Sequence, residues 1–365
     1  MNRRWICSDV WMDIFPCFDR PQLGLKLALL SPRFNALVDK HFDGKSELTI
    51  WRSIEIRRKD NGPELKLSVR FSVPFPLPDD RPLPSKIRFE CLRINYIDHS
   101  VITFLRLNHQ IFDKRGTDLQ FWIPSSHTSI CGTMDGQPIW DVFVREIWPI
   151  FSANIRRLGF TDGDHLDNLC RRTSPTILTD LLNLNSIDLL GLMPEAIGDA
   201  FDVPNATRGQ MLSKWLHSPR KDGQTKRLRC FKGYNEQANF DWINNFKEQF
   251  LRANAISSVS YEIHFFVHVS SMPMIPFELV NEWTKEKLTL AKANENDLDN
   301  RWIMKRSKII GGTAAVYWKD GNWDNCNRVS IRLFCGTNCI GPLSPPPAEK
   351  EEAGQSITKV ASSDK

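Results

Sequence analysis

The densest group of polar side chains in the sequence is Asp162, Gly163, Asp164 and His165, which places two carboxylates and an imidazole within four residues. Paired carboxylates beside a histidine can carry out acid-base catalysis or bind a metal ion. A loop that leads into a helix is the alternative interpretation of the same residues. We favour the loop, and the segment then predicts the start of a helix.

Two other patterns fall short of known chemical sites. Cys326, Cys335 and Cys339 have no fourth ligand at zinc-binding spacing and no neighbouring histidine, so we expect buried thiols. The Gly-Gly-Thr sequence at 311–313 is not followed by the Lys-Ser or Lys-Thr of a P-loop, and no Gly-x-Ser-x-Gly segment occurs. We therefore expect that the protein is not an enzyme and binds no cofactor.

The composition is that of a folded chain. Of its 365 residues 41% are hydrophobic and 25% charged, and this length predicts one small and one large unit. The net charge of +5 comes from Lys and Arg spread among nearly as many acids, which gives no basic stripe for nucleic acid. No apolar run approaches the ~18 residues of a membrane span. We expect neither a nucleic-acid nor a membrane partner.

The N-terminus does not read as a signal peptide, because Asp9, Asp13 and Asp19 interrupt what would be its apolar stretch. This predicts a cytoplasmic or nuclear protein. Thiols stay reduced in those compartments, and the 9 cysteines are irregularly spaced, so we expect no disulfide framework.

The first forty or so residues predict three short helices. Ser8 is a candidate N-cap, and the apolar residues that follow it recur at helical spacing. Asp19 and Gln22 form a capping-box pattern before a leucine-rich segment, and Ser31 with Pro32 starts a third helix. Helices this short cannot bury all of their apolar side chains among themselves. Exposed apolar surface should therefore remain.

These residues resemble the F-box family. The resemblance is carried by Ile6-Cys7-Ser8-Asp9-Val10-Trp11, Ile14-Phe15, Phe18, Gln22-Leu23 and the run from Leu27 to Arg33-Phe34. Ile6-Cys7 stands where the family has Leu-Pro, and Ser31-Pro32 where many members have Ser or Cys followed by a basic residue.

The resemblance implies a substrate-recognition subunit of an SCF-type E3 ubiquitin ligase. Such a subunit docks on the S-phase kinase-associated adaptor protein, which bridges it to a cullin, and it recruits an unidentified protein substrate for ubiquitination. The alternative is a protein-interaction scaffold that uses the same helices for another partner. The matching positions imply these adaptor-binding residues: Ile6, Val10, Ile14, Phe15, Leu23 and Leu27.

Residues 44–86 predict a β-hairpin followed by a connector. The strand candidates Leu48 to Ile56 and Leu65 to Phe71 flank an Asn-Gly-Pro turn at 61–63. Five prolines within 74–84 are typical of a stiff connector. The predicted units are therefore an F-box at 1–43, this segment at 44–86, a substrate-binding domain at 87–340 and a disordered tail at 341–365.

The domain at 87–340 alternates between strand and helix patterns. Strand candidates are Ile87 to Ile94, Leu119 to Ile123, Ile155 to Phe160, Ser186 to Leu190, Arg227 to Phe231 and Val259 to Val267. Helix candidates are Ser100 to Phe112, Ile139 to Phe151, Pro175 to Leu182, Thr207 to Leu216 and Phe240 to Leu251. Similar phrases lead into the strands at 154–158, 184–187 and 226–229.

This degenerate repeat predicts an α/β fold, an irregular leucine-rich-repeat-like helix-strand solenoid with extra β-hairpins. A compact doubly wound fold is the alternative. Phe277 to Val280 and Lys287 to Leu290 predict a second hairpin, Arg301 to Lys308 a short helix, and Arg328 to Phe334 a last strand.

The layout along almost the whole chain is similar to members of the expanded F-box families of nematodes, which implies a divergent receptor domain. The strand ends carry arginines whose guanidinium groups can bind a carboxylate or a phosphate of a modified peptide. The candidate substrate-binding residues are Arg156, Arg157, Arg171, Arg172, Arg227 and Arg229.

Overall fold

The structure of the chain is a computed structural model. The described residues are 6–19, 22–43, 49–51, 53–60, 62–67, 74–78, 81–84, 87–113, 116–122, 137–195, 206–231, 236–254, 259–266, 274–293, 301–309, 327–333 and 339–344.

The N-terminal unit consists of helical segments α1 (Ser8–Ile14), α2 (22–30) and α3 (Pro32–Asp43). The backbone N–H of Gln22 donates to Asp19 Oδ1 at 2.7 Å, and that of Phe34 donates to Ser31 Oγ at 3.2 Å, so two predicted caps are confirmed. The N-cap of α1 is Cys7, so the prediction for Ser8 is wrong by one residue. The unit has its own core of Phe15, Leu23, Ala28, Leu37, Val38 and Phe42.

The rest of the described chain is a mixed α/β arrangement built on one large sheet. The strands are β1 (Thr49–Trp51), β2 (Ile54–Lys59), β3 (Gly62–Leu67), β4 (Phe75–Pro76), β5 (Ile87–Phe89), β6 (Cys91–Ile94), β7 (Thr117–Phe121), β8 (Ile155–Phe160), β9 (Ser186–Leu190), β10 (Lys226–Phe231), β11 (Tyr261–Phe266), β12 (Phe277–Asn281), β13 (Glu286–Lys292), β14 (Arg301–Lys308) and β15 (Asn327–Ile331). The helices are α4 (His99–Leu107), α5 (Gln110–Asp113), α6 (Gln137–Val142), α7 (Trp148–Phe151), α8 (Gly163–Arg172), α9 (Ile177–Asp180), α10 (Arg208–His217) and α11 (Glu236–Arg252).

The strand order in the large sheet is β12-β13-β14-β11-β10-β9-β8-β7-β15-β6-β2-β3-β4. Neighbours from β2 to β11 in this order are parallel, and antiparallel strands flank them at both ends. Strands β7 to β11 lie side by side in chain order, without the reversal that a doubly wound sheet contains. β15 departs from this order, because it returns to pair between β6 and β7.

The three similar phrases do lead into neighbouring parallel strands. Leu158, Ile187 and Leu228 occupy one row across β8, β9 and β10. These three residues define the apolar face of the sheet. The apolar residues on this face form one core with the buried sides of the helices that connect the strands. Phe121 of β7, for example, stacks on Trp140 of α6 with the ring centroids 5.8 Å apart. The described helices of this part therefore pack on the apolar face of the sheet.

The predicted helix at Arg301 to Lys308 is wrong, because these residues form β14. β14 lies between β11 and β13 and pairs antiparallel with both. Its burial alternates with period two, and Trp302, Met304 and Arg306 point inward. This alternation fits a strand, and pairing on both sides satisfies its backbone.

Two predicted long strands are each divided into two. The segment from Leu48 becomes β1 and β2, and the segment from Ile87 becomes β5 and β6; β1 pairs with β5 in a small parallel sheet, and β2 pairs with β6. The hairpin of β2 and β3 is confirmed. The Pro-rich segment is packed into the structure and is not a bare connector, since Phe75, Leu77 and Leu83 are buried.

Other boundaries shift by a few residues. The helix predicted from Pro175 to Leu182 is the four-residue α9. Residues 68–71, Ile123, Val267 and Phe334, which were predicted to lie in strands, are outside the described residues. Ile340 forms a bridge with Ile97, and Gly341 N donates to Ile97 O at 2.8 Å. Most of the predicted tail, 345–365, is also outside the described residues.

Candidate binding surfaces

The face of the sheet opposite the helices carries charged side chains at facing positions of neighbouring strands. Asp118 lies beside Arg157 and Arg328, and Arg227 lies beside Glu262. We call this set the charged ladder. Its members are Asp118, Arg157, Asp188, Arg227, Glu262, His264, Lys305 and Arg328.

Ion pairs connect the ladder across the strands. Arg157 pairs with Asp188, and its Nη1 lies 3.5 Å from Asp118 Oδ2. At the other end, Glu262 Oε2 lies 3.3 Å from Arg227 Nη2, and Glu262 Oε1 lies 3.5 Å from Lys305 Nζ. Cations therefore alternate with carboxylates, and most of the charge is compensated within the chain.

Two of the three ladder carboxylates, Asp118 and Glu262, have pKa values shifted in opposite directions. Burial raises the pKa of Asp118, and the Arg157 and Arg328 charges offset only part of this effect. Burial also opposes ionisation of Glu262, but the hydrogen bond with His264 and the nearby Arg227 charge lower its pKa to about 2. Glu262 is therefore ionised at neutral pH.

The predicted substrate-binding arginines do not form one site. Arg157 and Arg227 belong to the charged ladder, with side chains only 13% and 10% exposed. Arg229 lies on the same face, between Asp188 and His264 in the register. The arginines of the ladder thus face carboxylates of the same chain, which limits what they can offer to a substrate.

The other three arginines lie elsewhere. Arg156 is exposed and precedes Arg157 where the pairing of β7 and β8 shifts register. Arg171 and Arg172 are on α8, in the helix layer. Arg172 Nε lies 2.8 Å from Asp141 Oδ1, and Arg171 Nη2 lies 3.2 Å from Asp167 Oδ2. Sequence position near a strand end did not indicate which layer each side chain occupies.

A cavity of about 610 Å³ lies between α8 and α10 and includes Arg171 in its lining. Its wall combines Asp167 and Glu195 with Arg208, whose Nε lies 2.7 Å from Asp167 Oδ2. Burial and the neighbouring Asp167 raise the pKa of the Cys170 thiol in this wall to about 12. The thiol is therefore protonated at neutral pH and is a poor nucleophile.

The polar segment before α8 starts a helix, as predicted. Asp162 is the N-cap, and its side chain accepts from Asp164 N at 3.1 Å. His165 is buried, with its ring centroid 5.8 Å from that of Trp140. Within the part of the chain that the structure describes, no cluster of three or more potential metal ligands occurs. Cys326, Cys335 and 311–313 lie outside that part, and Cys339 is buried.

The second candidate surface is on the N-terminal unit. Ile6 and Val10 are each 46% exposed, while Ile14 and Leu27 are half-buried. Phe15 and Leu23, also predicted to bind the adaptor, are instead internal. Both belong to the core of this unit, where they pack in one buried cluster with residues of α2 and α3.

Contacts between the first and third helices fix the position of the exposed residues. Arg33 Nη2 donates to Ile6 O at 2.8 Å, across 27 residues of sequence. Trp11 packs edge-on against Phe34, with the ring centroids 4.8 Å apart. Leu30 adds a third strongly exposed apolar side chain, which the sequence interpretation missed as a surface residue. These contacts hold the start of α1 against α3.

Comparisons with protein-family models, with curated proteins and with solved structures found no match for this chain. Among the helices described, none is both long enough and apolar enough to cross a membrane.

Proposed function

We propose that the protein is the substrate-recognition subunit of an SCF-type ubiquitin ligase, with residues 1–43 acting as an F-box. The observation that carries the proposal is the N-terminal unit itself. Three short helical segments enclose a core separate from that of the sheet, and they leave Ile6, Val10 and Leu30 exposed. Apolar anchors on a helical unit of this kind suit packing against a partner, where a few residues supply most of the affinity.

In this proposal the α/β part binds the substrate as an irregular leucine-rich-repeat-like domain. The chain-ordered parallel strands β7 to β11, each joined to the next through helices on one face, support this interpretation. Lys26 Nζ lies 5.0 Å from the centre of the Phe75 ring, so the N-terminal unit contacts the sheet part at the Pro-rich segment. This contact would connect the adaptor-binding and substrate-binding parts.

The test is binding of the purified full chain to the S-phase kinase-associated adaptor protein, alone and as its cullin complex. We expect the wild-type chain to bind and the double variant Ile6→Asp and Val10→Asp to lose at least about 30-fold in affinity, the equivalent of one interface hot spot. Leu182→Asp is the matched control, because Leu182 is an exposed apolar residue of the sheet part and should leave affinity unchanged.

Failure of the wild-type chain to bind the adaptor would refute the proposal. Equal affinity of the wild type and the double variant would also count against it, since the exposed surface would then play no part. In the first case the same helices remain candidates for another partner, as in a scaffold protein.

A further inference from the structure

Four serines of the chain are followed directly by a proline, the pair of residues that proline-directed protein kinases phosphorylate. The proline disfavours helical backbone at the residue before it, so the serine takes the extended or turn conformation in which a kinase binds its acceptor. The four are Ser31, Ser174, Ser218 and Ser344. Ser344 is the last described residue, so the structure distinguishes among the first three by what their hydroxyl groups contact.

The hydroxyl groups of Ser31 and Ser218 take part in the packing of helix ends. Ser31 Oγ accepts a hydrogen bond from Phe34 N at 3.2 Å, which caps the start of α3. Ser218 Oγ lies 2.8 Å from Trp215 O and 2.7 Å from the ammonium of the buried Lys226. A phosphate on either serine would therefore break a contact that completes a helix end.

Ser174 differs because its hydroxyl contacts only the next turn of the chain. It lies in the short segment between α8 and α9, outside both helices. Its Oγ lies 2.8 Å from Thr176 Oγ1 and accepts a hydrogen bond from Thr176 N at 3.1 Å, and both hydrogen bonds are exposed. Pro175 and Thr176 are exposed as well. A kinase can therefore reach this hydroxyl without opening the core.

An exposed cation lies three residues before Ser174, in the last turn of α8. The Arg171 side chain is 75% exposed, and its Nη2 lies 3.2 Å from Asp167 Oδ2. The same oxygen of Asp167 lies 2.7 Å from Nε of Arg208 in α10. Because two arginines share Asp167, this carboxylate keeps an ion pair when Arg171 turns towards another anion.

The neighbouring Arg172 has a different role. Its side chain is only 15% exposed, and its Nε lies 2.8 Å from Asp141 Oδ1 of α6. Its Nη1 lies 2.7 Å from Asn168 Oδ1 within α8. Arg172 therefore connects α6 and α8, and Arg171 is the better placed of the two to bind an anion on Ser174.

We propose that Ser174 is the phosphorylation site of a proline-directed protein kinase and that Arg171 binds the phosphate once it is attached. The kinase transfers the γ-phosphoryl group of ATP to Ser174 Oγ. The new P–O bond forms as the bond to the β-phosphate oxygen breaks, ADP leaves, and the hydroxyl proton passes to the catalytic base of the kinase. The attached phosphate carries a charge of about −1.5 to −2 and attracts a guanidinium group.

The modification goes beyond the proposed ligase function, because it changes the charge of the cavity between α8 and α10. Arg171 and Pro175 both belong to the lining of that cavity. The phosphate draws Arg171 away from Asp167, which remains paired with Arg208. Phosphorylation thus adds negative charge to one wall of the cavity and leaves the core of the sheet unchanged.

The first experiment treats the purified full chain with a mitogen-activated protein kinase and ATP, and tandem mass spectrometry then measures the phosphate occupancy of each serine. We expect occupancy at Ser174 to be at least about tenfold higher than at Ser218, which is followed by the same residue but has an engaged hydroxyl. Pro175→Ala removes the residue that the kinase selects and should lower occupancy at Ser174 by a similar factor. Arg171→Gln should be phosphorylated like the wild type.

The second experiment measures the second pKa of the attached phosphate by ³¹P NMR, a value that is ordinarily about 6. A cation beside the phosphate favours the dianion, so the pKa should be about 0.4 of a unit lower in the wild type than in Arg171→Gln. Arg252→Gln is the control, since Arg252 forms a similar exposed pair with Glu248 in the last turn of α11. The Asp180 carboxylate, which accepts from Thr176 Oγ1 at 2.8 Å, is the same in all three proteins.

Absence of phosphate at Ser174 in the folded wild-type chain overturns the proposal. Equal occupancy at Ser174 and Ser218 overturns it too, because access to the hydroxyl would then not decide the site. The role of Arg171 is overturned if the phosphate has the same pKa in the wild type and in Arg171→Gln, or if Arg252→Gln changes it equally. Neither readout uses adaptor binding, so failure of the ligase function leaves this result intact.

Discussion

The buried pair of Glu286 and Arg306 provides the most direct test of the packing at the antiparallel end of the sheet. Glu286 Oε2 lies 2.6 Å from Arg306 Nη2, and the two side chains are 0% and 8% exposed. The guanidinium also lies 5.5 Å from the centre of the Phe250 ring. Burial raises the pKa of the neighbouring Tyr261, and the positive charge of Arg306 opposes that shift. The pair thus joins β13, β14 and the end of α11.

Glu286→Gln should lower the free energy of unfolding by about 3 to 5 kcal/mol, the cost of removing one partner from a buried ion pair. The change is nearly isosteric, so the loss comes from leaving the Arg306 charge buried without its carboxylate. The double variant Glu286→Leu and Arg306→Met removes both charges and keeps an apolar side chain against Phe250. It should recover most of the stability, because the folded state then contains no ions that must be desolvated.

The measurement is urea denaturation followed by circular dichroism, with Glu282→Gln as the control. Glu282 and Lys285 form a similar pair on the surface, with side chains 77% and 70% exposed, and its loss should change stability by no more than about 0.5 kcal/mol. A Glu286→Gln variant that costs no more than Glu282→Gln would refute the reasoning, and so would a double variant less stable than the single one.

Three further outcomes are expected. Burial lowers the pKa of Lys226, whose ammonium donates to Ser218 Oγ at 2.7 Å, to about 7. The unfolded lysine keeps its proton to about pH 10, so the free energy of unfolding should rise with pH above about 7 by at most about 1.4 kcal/mol per pH unit. Urea denaturation at about pH 7.5 and at about pH 9.5 measures this rise. The increase in the free energy of unfolding between the two pH values should be smaller for Lys226→Met than for the wild type. Because the pKa of Glu262 is lowered to about 2, its contribution to stability is present above about pH 4.5 and is lost as the pH falls towards 2. When the free energy of unfolding is measured over this pH range, Glu262→Gln should therefore lose less stability than the wild type. In Gly341→Ala the new Cβ would lie 2.9 Å from Asp98 Cβ and against the Tyr96 hydroxyl, and thermal unfolding should show a destabilisation of about 1 to 3 kcal/mol.

The sequence predicted those elements whose pattern is local. β8 and β9 were placed to the residue, because Leu158 and Phe160 in one and Ile187 and Leu189 in the other lie at every second position of a short segment. Residues 301–308, where a helix was predicted, show no such alternation in sequence, because three apolar residues are followed by four polar ones, and only their burial alternates in the structure. Long basic side chains fit either element there, and the two neighbouring strands that select a strand are not visible in an eight-residue window.

The candidate surfaces were less predictable, because exposure depends on contacts far apart in sequence. Val10 and Phe15 belong to one apolar stripe in the sequence, yet Phe15, which follows the end of α1, is buried against α3, and Val10 is exposed. Arg157 and Arg227 were selected as candidate substrate-binding residues near strand ends. Their carboxylate partners Asp188 and Glu262 come from the next strand of the sheet, more than thirty residues further along the chain. A short-range sequence pattern cannot predict such ion pairs.

The position of β15 distinguishes this sheet from that of a linear repeat protein. In a linear repeat protein each unit contacts only its neighbours, and stability is a sum of local terms. Here β15 pairs between β6 and β7, and Arg328 reaches Asp118 across 210 residues of sequence, with its Nε 3.4 Å from Asp118 Oδ2. Contacts this distant carry a loop-closure cost that only the completed sheet repays. The charged ladder therefore depends on the C-terminal strand as much as on the repeat-like strands, and a chain that ends before residue 327 would leave the facing sides of β6 and β7 without their common partner.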